Sequence, residues 1–308
     1  MRQSSLIGEI NMKFKQLKLV MLIILALFGV KFSVFAGEIR KTPQFREVWI
    51  ETQNALKKLK PAEILVVFDI DNTLLTMTSQ IGSDQWYNWQ AGLLKTNKLE
   101  NAVGKSFDEL FDAQDIIFAL GQMHPPEPDI PDLVKEIQKS GVKTVILTSR
   151  GSQYRSVTER EFRRNHLDFT NTTFGPEKGY PSTYLPFNLQ TNHLSGLNAV
   201  KIKELKAENV RPVSFTNGIF MGSGQHKGLM LKALLHKTNT KFKKVIFIDD
   251  TEKNIHAVYD LLNSKSVDVT ALQYTQMDSI VQAFENGDKK LEIQAWQELQ
   301  KLRDQYFK

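Results

Sequence analysis

The sequence predicts an α/β fold, a doubly wound parallel sheet with an inserted helical cap. Three observations predict it. The runs Ile64–Phe68, Lys143–Leu147 and Lys244–Ile248 are short, mostly apolar and rich in β-branched residues, the pattern of strands buried on both faces of a parallel sheet. Segments with helical spacing lie between them, so strand and helix alternate as in βαβ units. Residues 76–130 break the alternation with two helices and a proline cluster, which reads as a cap rejoined to the core by a stiff connector.

Taken in order, Phe45, Val48, Trp49, Leu56 and Leu59 recur at helical spacing over residues 43–59, and Pro61 ends that helix. After the strand Ile64–Phe68 come the cap helices, Asp84–Lys95 and Phe107–Leu120, with Ser106 and Glu109 forming a capping box for the second. Pro125, Pro126, Pro128 and Pro131 make the connector; Pro131 opens a helix to Ser140, stopped by Gly141. Val157–Arg164 is the next helix. Residues 173–226 have weak periodicity and many Gly, Pro, Asn and Thr residues, which predicts a second insertion. Within it, Val213–Phe215 and Ile219–Met221 flank an Asn217-Gly218 hairpin turn. Lys227–Lys237 and Glu252–Leu262 are helices and Val267–Tyr274 a strand. The helix Lys289–Tyr306 carries Leu291, Ile293, Trp296, Leu299 and Leu302 as a stripe expected to pack into the core.

No cysteine occurs in the 308 residues, which excludes disulfides, thiolate metal sites, a catalytic Cys and a lipidated Cys. The net charge of +6 invites a nucleic-acid reading. Its source, however, is the N-terminus. Lys13, Lys15 and Lys18 precede the apolar run Leu19–Val30, and Ser33-Val34-Phe35-Ala36 follows. This is the pattern of a secretory signal peptide over residues 1–36, cleaved after Ala36, with Met12 as an alternative start. The apolar run is shorter than the ~20 residues of a spanning helix. Outside residues 1–36, 35 bases face 33 acids. The expectation is an exported protein, periplasmic or secreted, with no nucleic-acid partner and no membrane span after cleavage.

The chemistry-bearing residues stand at strand ends. Asp69 and Asp71 follow the apolar run Ile64–Phe68 at positions i and i+2, which point to one side of an extended chain. In a parallel sheet the carboxyl ends of strands are where ligands bind. Adjacent carboxylates repel unless a cation or proton is shared, and a hard divalent cation such as Mg²⁺ suits oxygen ligands. Asp249 and Asp250 follow Lys244–Ile248 in the same way, with Asn254 one helical turn on. The third strand end, Thr148-Ser149-Arg150, is read as offering hydroxyls rather than charge. Lys227 opens a helix, where a cation opposes the helix dipole and a bound anion would offset the cost.

Acid pair, hydroxyl, lysine and acid pair occur in that order. The set resembles the haloacid dehalogenase-like hydrolases, through FDIDNTLL, VILTSR, the lysine and FIDDTEKN, over Ile64 to Asn254. The resemblance implies a Rossmann-like core and Mg²⁺-dependent phosphoryl transfer through an aspartyl-phosphate, in a protein like the exported acid phosphatases of that superfamily. By the same resemblance Asp69 is the nucleophile and Asp71 the general acid and base. Thr148, with Ser149, holds the phosphoryl group and Lys227 neutralises it. The metal set is Asp69, Asp71, Asp249, Asp250 and Asn254, and the substrate a small phosphomonoester.

Lys201 and Lys203 are rivals to Lys227, and about 75 residues separate Thr148 from Lys227, long for one loop. Trp86, Tyr87 and Trp89 could meet a substrate under the cap, although large aromatics more often pack cores. Gly222–Gly228 lacks the Gly-Lys-Ser/Thr ending of a phosphate loop. Two other functions remain open, a HAD-like binding or host-interaction module without turnover and a phosphotransferase.

Overall fold

The computed structural model describes residues 37–188 and 199–307. The expected signal segment 1–36 and its cleavage point lie outside these residues, as does part of the second insertion.

The chain enters through β1 (Glu38–Thr42) and α1 (Arg46–Leu56), then β2 (Ile64–Phe68). The cap follows: β3 (Thr76–Met77), α2 (Asp84–Lys95), α3 (Phe107–Leu120) and β4 (Met123–His124). The core resumes with α4 (Ile130–Lys139), β5 (Lys143–Thr148) and α5 (Arg155–Arg164). Next are α6 (Ala199–Glu204), β6 (Ser214–Thr216), β7 (Ile219–Met221), α7 (Lys227–Lys237), β8 (Lys244–Asp249), α8 (Glu252–Leu262) and β9 (Asp268–Tyr274). Two helices close it, α9 (Asp278–Asn286) and α10 (Lys290–Tyr306).

The result is a mixed α/β fold with a mostly parallel seven-stranded sheet, ordered β1-β9-β8-β2-β5-β7-β6 and flanked by helices. Only β6 runs antiparallel, against β7. Every residue of β2 is buried. Ile64, Val66 and Phe68 enter one core with Phe45 and Ile137, while Leu65 and Val67 enter the other with Leu231 and Phe247, as the two-residue repeat of a strand requires. From β2 the chain passes to β5 on one side and later reaches β8 on the other. That reversal opens a crevice at the carboxyl ends of β2, β5 and β8.

β3 pairs antiparallel with β4, so the helical insertion leaves and returns through one two-stranded clasp.

Four expectations need correction. β1 was not anticipated, because Glu38, Arg40 and Lys41 mask its pattern; a sheet-edge strand tolerates such charges. The hairpin β6–β7, expected within the second insertion, is seated in the main sheet beside β5. Its three-residue strands are too short to show a period. Asn217 and Gly218 have φ of 52° and 75°, as the expected hairpin turn needs. On α10 only part of the stripe is packed: Trp296 is buried, but Leu291 and Leu302 are 76% and 52% exposed. At 100° per residue they lie on one face, about 120–140° from Trp296. At α3, Ser106 caps the Glu109 amide, but the Glu109 carboxylate takes the Lys105 amide, so the capping box is half made.

Candidate active site

Asp69 directly follows β2, Thr148 ends β5, and Asp249 ends β8 with Asp250 next. β2 pairs in register with both neighbours, Phe68 opposite Ile146 and Ile248, so the three ends converge. The turn after β2 is fixed locally. The Ile70 carbonyl accepts the amides of Thr73, Leu74 and Leu75. Asn72 takes a left-handed φ of 55°, which Asn tolerates better than most residues. Its side chain donates to Gln85 and accepts from Thr76. The Thr73 hydroxyl accepts the Asp250 amide at 3.1 Å, joining segments 177 residues apart.

Lys227 is the first residue of α7 and only 2% exposed. Its ammonium lies 2.5 Å from Asp69 Oδ1 and 2.6 Å from Asp249 Oδ2. Burial alone would lower its pKa, but Asp249 and Asp69 reverse this and hold it above the usual lysine value. The rival Lys201 pairs with Glu204 on α6 and is half exposed. A Cβ on Gly228 would fall 1.8 Å from the Ala257 carbonyl oxygen. Glycine therefore lets α7 press against α8, which brings Lys227 to both acids.

The carboxylates of Asp69, Asp249 and Asp250 lie within 4.8 Å of one another. Both oxygens of Asp249 are engaged. Oδ1 accepts from the Thr251 amide and Asn254, and Oδ2 from Lys227 and Asn254. Asn254 thus orients Asp249. Among the described residues the Asp250 carboxylate accepts one bond, from the Thr251 hydroxyl, and Asp69 one, from Lys227. Asp69 and Asp250 therefore keep oxygen capacity for a hard cation. The donor set fits Mg²⁺.

Charge supports the same fit. Burial pushes the Asp69 carboxyl up to about 8, against the pull of Lys227, and Asp249 and Asp71 add to the rise. Burial also raises Asp250 well above the usual carboxylate range, reinforced by Asp249 and Asp84. Half-buried Asp84, first residue of the cap helix α2, is raised to about 6 by burial and by Asp71. Five carboxylates thus share a site with two cations, Lys227 and Arg150.

Asp71 stands apart from the three clustered acids. Arg150 grips it, with Nε to Oδ2 at 2.9 Å and Nη2 to Oδ1 at 2.7 Å. Arg150 is itself buried, bonded to the Thr158 hydroxyl and laid over the Phe118 ring at 4.6 Å. Asp71 thus leaves the expected side-chain metal set, and the end of β5 supplies charge as well as hydroxyls. The Thr148 hydroxyl accepts the Arg150 amide. Ser149 faces a cavity of about 430 Å³ that also meets Asp71, Asp84, Tyr87 and Arg150. Of the cap aromatics, Trp86 is buried and Trp89 packs edge-on against Phe284, leaving Tyr87 at the cavity.

The model of the family "Protein of unknown function (DUF2608)" matches residues 41–308. The chain belongs to this family. The DUF2608 match spans the sheet, the cap and both acid pairs. Two relatives, each named "Putative outer membrane protein", are 22% identical to the chain. The one from Chlamydia trachomatis aligns over 70% of each chain, and the one from Chlamydia pneumoniae over 73% of this chain and 78% of its own. A third, from Chlamydia muridarum, is 33% identical over 63 residues, 20% of this chain and 24% of its own. Among the described residues of this DUF2608 protein no helix is long and apolar enough to cross a membrane.

Sequence reasoning missed Asp84, Arg211 and the role of Arg150. For Arg150 a signal existed: two residues after Thr148, it can share that residue's side of the chain. Asp84 gave none, since an acid in the first turn of a helix has an ordinary role.

Proposed function

We propose that this protein is an exported, Mg²⁺-dependent phosphomonoester hydrolase of the haloacid dehalogenase-like type, acting through an aspartyl-phosphate. One observation carries the reading: a buried lysine bridges Asp69 and Asp249 beside Asp250, at the meeting point of three parallel strand ends. Phosphoryl transfer needs positioning and charge neutralisation, which such a set supplies.

In this mechanism Asp69 attacks phosphorus as the ester P–O bond breaks, and Asp71 gives a proton to the leaving oxygen. Water then attacks phosphorus, Asp71 takes its proton, and inorganic phosphate leaves with Asp69 restored. An incoming phosphoryl group competes with Asp71 for Arg150; once released, Asp71 takes a proton from the phosphate monoanion or from water, and this is the proton it gives to the leaving oxygen. Lys227 holds positive charge against the phosphoryl oxygens. Asp69 and Asp250 would hold Mg²⁺, which when bound supplies charge neutralisation. Export is supported by the signal-like N-terminus and by the printed names of the chlamydial relatives.

The test is phosphate release from an aryl phosphate with Mg²⁺ and with EDTA. Asp69→Asn should lower the rate by about 10³-fold or more; activity surviving that change would sink the nucleophile. The second reading, a binding module, is favoured by Lys227 already giving Asp69 and Asp249 part of their charge balance. Absence of calorimetric Mg²⁺ binding would support it.

A further inference from the structure

The cavity beside Asp71 has a character that phosphate chemistry alone does not require. Its 430 Å³ lies within the roughly 300–1,000 Å³ of small-molecule sites. Asp71, Ser149 and Arg150 line it, and so do four aromatic rings. Tyr87 stacks on Phe111 with centroids 6.3 Å apart, and Tyr154 meets Phe118 edge-on at 5.2 Å. All four rings line the cavity. Tyr154 is only 6% exposed, so it is the ring that it offers to the cavity.

Arg211, from the second insertion, also lines the cavity. Its guanidinium has no ion pair among the described residues and lies beside Gly224, whose amide donates to the Ser149 carbonyl. The segment carrying it is held firmly. Gln225 accepts from the Arg211 amide and donates to the Arg211 carbonyl, and the Ser223 hydroxyl donates to the Pro212 carbonyl. A fixed backbone presenting an unpaired guanidinium to a cavity is pre-organised for an anion.

We propose that this cavity selects phosphomonoesters with an aromatic body and a second negative group. The ring packs against Tyr87, Phe111, Phe118 and Tyr154, and the second anion meets Arg211. This rests on the hydrolase reading for its chemistry, but the selectivity can be measured separately.

The experiment compares ethyl phosphate, 2-phenylethyl phosphate and its para-carboxylate, with Mg²⁺ and the full chain. All three leave as primary alcohols of similar basicity, so differences report binding rather than leaving-group reactivity. The expected kcat/KM rises about tenfold or more with the ring and about tenfold again with the carboxylate, within the range that pocket contacts provide. Arg211→Ala should bring the ratio between the charged and uncharged phenylethyl esters close to one. In parallel, calorimetry follows binding of the para-carboxyphenylethyl phosphonate, which cannot be hydrolysed. Hydrolysis without preference among the three esters overturns the inference and leaves the hydrolase standing. Arg211-dependent phosphonate binding without hydrolysis upholds the pocket and overturns the hydrolase. Neither hydrolysis nor binding overturns both.

Discussion

Arg150 holds Asp71 by both carboxylate oxygens while resting on the Phe118 ring of the cap. One guanidinium therefore touches the proposed acid, the core helix α5 through Thr158, and the cap. Its loss should be felt in all three. Arg150→Ala is expected to cost about 2–4 kcal/mol in urea unfolding, because it strands a charge that is largely buried. Asp71→Asn in the same chain should recover at least about 1 kcal/mol, the coupling energy of a contacting pair. Strict additivity of the two changes would show that the pair carries no such energy.

Stability should depend on pH in a direction set by Asp69. Burial raises its carboxyl to about 8 in the fold, whereas in the unfolded chain it ionises near pH 4. The unfolded state therefore loses its proton first, and the metal-free protein loses stability as pH rises across that interval. Mg²⁺ at the proposed site would hold the ionised acids, so its stabilisation should grow over the same range. Melting temperatures with EDTA and with Mg²⁺, at pH 5.5 and pH 8, provide the check. A Mg²⁺ shift equal at both values would contradict the assignment.

His226 acts with the opposite sign. Its Nδ1 caps α7 by accepting the Leu229 amide at 3.2 Å, and burial lowers its pKa below the usual histidine value. Protonation removes the acceptor and adds charge at a helix N-terminus. The stability it contributes is present above about pH 6.5 and fades as pH falls below that value. His226→Asn keeps a capping side chain and should flatten the acid side of the stability profile. An unchanged profile would assign that loss to other groups.

Gly228→Ala places a methyl against the Ala257 carbonyl. The two helices must part, at a cost of about 1–3 kcal/mol, typical of overpacking. Lys227 moves with α7, so phosphate release should fall further than stability does. A variant losing stability but keeping full activity would show that Lys227 does not depend on this close approach.

Much of this was legible in the sequence because the core strands are buried on both faces. Ile64–Phe68 and Lys244–Ile248 need continuous apolar runs there, and such runs announce themselves together with the acids that end them. Helix α7 begins at Lys227, where the opposed dipole first drew notice. What stayed hidden depends on tertiary neighbours. β1 is charged because it lies at an edge, and β7, only three residues long, has its place fixed by pairing with β5 and β6. The direction of Arg150 is decided by Phe118, Thr158 and Asp71, none of them next to it in sequence. Arg211 owes its position to Gln225, in a stretch without periodicity. The C-terminal helix shows the converse failure, a clear apolar stripe of which the fold uses only the Trp296 side.

The hydroxyl of Thr73 and the amide of Asp250 meet across more than half of the chain. During synthesis the ribosome delivers Asp69 and Asp71 early and the residues that complete their surroundings late. A nascent or truncated chain ending before β8 has the acids but neither Asp249 to steady Lys227 nor Asp250 beside them. The proposed centre is thereby tied to completion: it assembles only when β8 has docked, and a shorter chain is expected to release no phosphate.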